Sequence, residues 1–179
     1  MIPVIRWLCE KRLSAIEYEQ GIPLAYLRHV LRVSPPHFLK FTKMMPLARF
    51  RRALPAEAYH LARIVTALHE DCGTCLPMEV RFAKQAGVSV AILDSILDEN
   101  PCSLSPDLAV VYFFAEAVAT ASGEEDTWRE AIFRRYGDIG VIELSLAIAV
   151  SRMFPTVLHA MGYAAPCVPR NTQVGARDR

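Results

Sequence analysis

The chemistry-bearing residues of the chain converge on Cys72-Gly73-Thr74-Cys75, a C-x-x-C spacing that lets two sulfurs bond to each other or share a metal ion. The other three cysteines, Cys9, Cys102 and Cys167, stand apart, and an odd count with one close pair is not a disulfide framework. At a helix N-terminus, first-turn amides and the helix dipole stabilise a thiolate, so one cysteine of the pair should be more acidic than the roughly 8.5 of a free thiol. A thiolate that its neighbour can attack is a redox couple.

A helix following the pair puts Cys72, Cys75, Glu79, Phe82, Ala83 and Ala86 on one face and Arg81, Lys84 and Gln85 on the other. Glu79 then lies in an apolar stripe, where a lone carboxylate costs several kcal/mol or takes up a proton, so it needs a hydrogen-bonding or cationic companion. The expected companion is His60, twelve residues before Cys72 at the edge of the preceding helix's buried stripe. Two antiparallel helices joined by a short turn would bring the ring towards Glu79. A His and a Glu beside a cysteine pair form a proton relay, in which the base takes the thiol proton and the second group holds or exchanges it.

The elements that position these groups read as helices. Residues 4 to 19 and 22 to 33 form two short ones, separated at Gly21 and Pro23, and Pro35-Pro36 stops the second. A basic helical stretch runs from His37 to about Arg52. Pro55 starts a helix to about Glu70, with Leu61, Ile64, Val65 and Leu68 forming one buried stripe. Asp71 is the expected N-cap of a helix from about Gly73 to Ala86, ended by Gly87. Ser89 caps a short helix that Pro101 closes off, and Ser105-Pro106-Asp107 opens an apolar, central helix reaching Val118. A further helix lies between Gly123 and Gly137, and the last runs from Val141 to about Tyr163 with a kink at Pro155. His69 and Glu70 adjoin the turn and are read as solvated.

With 179 residues, 53% of them apolar and 22% charged, the chain suits one all-α domain and excludes intrinsic disorder. Residues 1–52 read as a basic helical region packed on the core, 53–165 as the core, and 166–179 as a polar tail. From Met1 to Pro55 there are 10 basic and 3 acidic residues, and from Ala56 to Pro169 there are 7 and 15. The two parts can neutralise each other within the chain or across subunits, so neither nucleic acid nor membrane is the expected partner. No run reaches the roughly 18 apolar residues of a membrane span, and charges interrupt the N-terminal apolar segment, so the expected compartment is the cytosol.

Around the cysteine pair the sequence resembles the alkylhydroperoxidase D and carboxymuconolactone decarboxylase-like superfamily. Its redox members carry a glutamate, then C-x-x-C twelve residues later, then a histidine four residues after the second cysteine. Here those positions hold His60, Cys72, Cys75 and Glu79: both cysteines match, and the acid and the imidazole have changed places. The resemblance extends more loosely from about Met45 to Gly162, including Val141-Ile142-Glu143-Leu144. It implies a single-domain helical bundle that assembles as a homo-oligomer, a trimer or hexamer, with thiol peroxidase or disulfide reductase activity. By the resemblance Cys75 is the peroxidatic and Cys72 the resolving cysteine, a peroxide or disulfide is the substrate, and an external dithiol is the electron donor. No cofactor and no metal are implied. No role is carried over to His60 or Glu79, whose relay rests on the reciprocal exchange that keeps one base and one acid in the site.

Other readings stand beside this one. The cysteines can be structural, since free Cys is often a small hydrophobe, or can hold a metal with His69, His60 or Glu79. A non-redox, decarboxylase-like enzyme would generally lack the cysteine pair. A non-catalytic oligomeric module could sense oxidants or bind a partner through its basic N-terminal helices.

Overall fold

A computed structural model describes residues 3–165 except Asp71. The expected Asp71 cap, the tail from Pro166 and Cys167 lie outside the described residues. Among those residues the chain is all helix, with no strand: α1 (Pro3–Gln20), α2 (Ala25–Val33), α3 (Pro35–Thr42), α4 (Ala56–His69), α5 (Cys75–Gln85), α6 (Val90–Leu97), α7 (Pro106–Thr120) and α8 (Glu125–Ala160). Short 3-10 turns lie at Leu47–Arg49 and Pro101–Ser103.

The caps explain several boundaries. Ser89 and Ser105 accept hydrogen bonds from the backbone N–H of Ile92 and Leu108, each satisfying an orphan donor of the first turn, and Pro106 follows where no N–H is needed. Gly87, at φ +87°, takes the left-handed turn after α5. Within α8, Gly137 at φ +67° breaks the helical path, as the expected boundary there requires. Gly140 leaves room for the Cβ of Tyr136 on the far side of that bend.

Three expectations are corrected. Pro35 and Pro36 do not merely stop α2; they occupy the first turn of α3, where a proline's missing N–H costs nothing. α3 ends at Thr42 rather than near Arg52, because Pro46 cannot continue a helix, and the chain proceeds through turns and the Leu47–Arg49 3-10 turn. α4 also differs from the one-striped helix expected of it. Every residue from Ala58 to Ala67 is buried, because α4 is enclosed by α5, α7 and α8.

The main core joins Leu61, Ile64 and Val65 of α4 to Val111 and Phe114 of α7 and Leu144 and Ile148 of α8. Fully burying one such aliphatic side chain contributes roughly 1.5–3 kcal/mol. α8 is long and apolar enough to cross a membrane by composition, beyond the expectation from apolar runs, but half of its most apolar window is buried inside this fold. A second core joins α1, α2 and α3 to the cysteine pair through Leu13, Leu24, Leu27, Leu31, Phe38 and Leu158.

Glu143 adds a polar tie between the end of the N-terminal region and α8. Its buried carboxylate accepts hydrogen bonds from the backbone N–H groups of Arg52 (3.0 Å), Ala53 (2.8 Å) and Leu54 (3.4 Å). Within the N-terminal third, Arg28 pairs with Glu10 and Glu17, so part of the positive charge is neutralised locally.

Candidate functional site

Cys72 and Cys75 are bonded as a disulfide, with their Cα atoms 5.3 Å apart. Cys75 is the first residue of α5, so the pair sits at a helix N-terminus as its spacing requires. The backbone N–H groups of Cys75 and Leu76 both donate to the Cys72 carbonyl, forming the turn that brings the sulfurs together. Gly73 donates to the carbonyl of Ala165 at 2.8 Å, which lays the segment after α8 across the C-x-x-C turn.

Both cysteines are buried, at 0% and 4% exposure. Their neighbours in the second core are the inner side chains of α1, α2 and α3 together with Leu158 of α8. The basic N-terminal region therefore covers the disulfide.

Along α5, Cys75, Glu79 and Ala83 are the fully buried positions, the i, i+4, i+8 row read from the sequence. Phe82 is only partly buried and Ala86 is exposed, so the buried face is narrower than the sequence suggested. Glu79 is 3% exposed and has a cationic companion.

That companion is Arg63, not His60. A terminal guanidinium nitrogen of Arg63 donates to Glu79 Oε1 at 2.6 Å. The other terminal nitrogen donates to the Ala48 carbonyl and to the Tyr59 hydroxyl at 3.1 Å, and that hydroxyl donates to the same carbonyl at 3.2 Å. Burial opposes the Arg63 charge, but the Glu79 carboxylate and the Tyr59 oxygen outweigh it, and its pKa is raised. Arg63 Nε and Glu79 Oε2 are buried without a hydrogen-bond partner. The Oε2 lone pairs are thus free to accept a hydrogen bond.

His60 is 8% exposed, one turn before Arg63, and packs edge-on against the Tyr59 ring with centroids 5.3 Å apart. Among the described residues it forms no hydrogen bond with Glu79 or with either sulfur, and its Nδ1 is buried without a partner. Burial, helped by the positive charges of Arg63 and Arg51, lowers its pKa from 6.5 to about 4. At neutral pH the ring is uncharged and a weak base, so the direct His60–Glu79 pairing read from the sequence is not the arrangement found.

Glu70 is also not simply solvated: its carboxylate pairs with Arg152 Nε at 2.8 Å and its carbonyl meets His159 Nε2 at 3.0 Å. His69 is exposed. Among the described residues no three of His, Cys, Asp and Glu converge as a metal-binding group. Compared with protein-family models, with curated proteins and with solved structures, the chain matches none.

Proposed function

We propose that the chain is a thiol-dependent peroxidase or disulfide reductase of the alkylhydroperoxidase D-like kind, cycling the Cys72–Cys75 pair between dithiol and disulfide. The observation that carries this reading is a bonded C-x-x-C pair at a helix N-terminus with a buried carboxylate, Glu79, one turn beyond Cys75. An inert structural disulfide has no need of a charged group one turn along its helix, and burying one is costly.

In the reduced state, Glu79 takes the Cys75 thiol proton through its free Oε2, while the Arg63 ion pair holds the other oxygen in place. The Cys75 thiolate attacks the distal oxygen of a hydroperoxide: a sulfur–oxygen bond forms, the oxygen–oxygen bond breaks, and the alcohol leaves with a proton. The peroxide is reduced by two electrons and Cys75 becomes a sulfenic acid. Cys72 displaces water from it, forming the disulfide. An external dithiol restores the pair by exchange and is itself oxidised to a disulfide. His60, uncharged at pH 7 and packed on Tyr59, has no part in this proton transfer.

The outward row Ile139, Ile142 and Leu146 on α8, each exposed, supports assembly of the chain as a homo-oligomer, and the proposed setting is the cytosol. The test is peroxide consumption with dithiothreitol as donor. The parent should turn over and Cys75→Ser should not; equal rates would exclude the proposal.

A second reading is favoured by the burial of both sulfurs. A pair sealed beneath α1–α3 suits a redox-sensing module, whose bond alters the seating of those helices without turnover. Disulfide formation that changes assembly in the absence of catalysis would select it.

A further inference from the structure

Beside the cover of the disulfide, α1, α2 and the segment after α8 form an open cleft of about 300 Å³, lined by Arg6, Glu10, Arg28, His29, Arg32 and Tyr163, with Ala25 at its wall. Three guanidinium groups and one carboxylate make an unusual lining for so small a space. Arg28 and Glu10 satisfy each other across it at 2.5 Å, which fixes α1 against α2. Arg6 and Arg32 are exposed at its mouth and form no ion pair with a carboxylate among the described residues, whereas Arg28 is held by both Glu10 and Glu17.

The remaining wall is polar and preset. The Tyr163 hydroxyl lies 2.9 Å from His29 Nδ1, and an Arg32 guanidinium nitrogen lies 3.5 Å from the same atom. Both contacts meet at one ring nitrogen, which ties the His29 ring of α2 to Tyr163 of the segment after α8. Tyr163 also packs on the core that buries the cysteines, and two residues later Ala165 accepts from the backbone of Gly73. The cleft and the C-x-x-C turn thus share one wall.

We propose that this cleft binds the oxyanion group of a small anion, a phosphate or a carboxylate, between Arg6 and Arg32, and that the bound anion braces the cover over the disulfide. Arginine suits this ligand because its planar fork offers paired donors to two oxygens of one group. An anion drawing α1, α2 and Tyr163 together opposes the movement that must expose Cys72 and Cys75. By linkage, anything that binds the closed cover better than the open one slows access to the sulfurs.

The site itself is independent of the peroxidase reading, because it can be measured on the oxidised chain with no turnover. The experiment is calorimetric titration of the oxidised chain with inorganic phosphate and, separately, with succinate, against sodium chloride at matched ionic strength. Saturable binding of one anion per chain, weakened about tenfold or more in an Arg6→Gln/Arg32→Gln variant with unchanged circular dichroism, supports the site. Tighter phosphate binding assigns it to phosphate-bearing ligands, and tighter succinate binding to carboxylates. No saturable heat with either anion, or equal binding by parent and variant, overturns it. The brace is read from disulfide reduction by dithiothreitol: phosphate should slow it several-fold in the parent and not in the variant. Equal rates with and without bound phosphate would overturn the brace.

Discussion

Arg63 on α4 and Glu79 on α5 form an ion pair at 2.6 Å with both side chains only 4% exposed, and Glu79 lies one helical turn beyond Cys75 of the buried disulfide. The pair also reaches the N-terminal region, because the second guanidinium nitrogen binds the Ala48 carbonyl. One arginine therefore holds together the site carboxylate, the Tyr59 hydroxyl and the chain that leads to the cover.

Breaking that pair on one side should be far costlier than removing both charges. Arg63→Met or Glu79→Leu alone should lose roughly 3–5 kcal/mol, because each strands a buried charge. The double variant should recover much of the loss. Urea unfolding of the four proteins measures the coupling, and strictly additive losses would show that the two side chains act independently.

His60 gives a pH signature in stability. Its folded pKa, about 4, is below the unfolded value of 6.5, so between those values the unfolded chain binds the extra proton and acid weakens the fold. The contribution is intact above pH 6.5, falls as the pH drops towards 4, and levels off below. The total loss from this residue is on the order of 3 kcal/mol. Unfolding midpoints at pH 7 and pH 4.5 should diverge more for the parent than for His60→Gln.

Glu143 should matter more to stability than to chemistry. Its three backbone hydrogen bonds clamp residues 52–54 to α8, and Glu143→Ala should cost about 2–4 kcal/mol, with limited proteolysis quickened in the N-terminal region first. Peroxide turnover per folded molecule should change little.

Cysteine variants separate the two sulfurs. Cys75→Ser should abolish peroxide turnover, and Cys72→Ser should stall at a sulfenic acid. Mass spectrometry after dimedone labelling should find the adduct on Cys75 of the Cys72→Ser protein. An adduct on Cys72 of the Cys75→Ser protein and none in the other would reverse the assignment.

The sequence made part of this site readable and hid part of it for physical reasons. Cys75, Glu79 and Ala83 repeat at the helical period, so their common burial follows from spacing alone, and Ser89 and Ser105 carry their caps in their own side chains. Arg63 was not legible. The apolar positions of α4 suggested one stripe, whereas Ala58, Ala62, Thr66 and Ala67 are small residues whose burial depends on how closely α5, α7 and α8 pack around them. Once α4 is enclosed, a cation one turn after His60 falls inside, opposite Glu79. The signal available was the unmet need of Glu79 for a partner together with a lone charged residue, Arg63, amid Leu61, Ala62, Ile64 and Val65. The Glu143 clamp was likewise hidden, since its donors are main-chain groups about ninety residues away.

The central claim is that Glu79 activates Cys75 for thiol chemistry, and alkylation of the reduced chain across pH tests it most directly. Iodoacetamide labelling mapped by mass spectrometry should give Cys75 a reactivity midpoint below the roughly 8.5 of a free thiol, and Glu79→Gln should slow the labelling of that residue selectively. Identical pH profiles for Cys75 in the parent and Glu79→Gln, or labelling of neither cysteine until the chain unfolds, would contradict it.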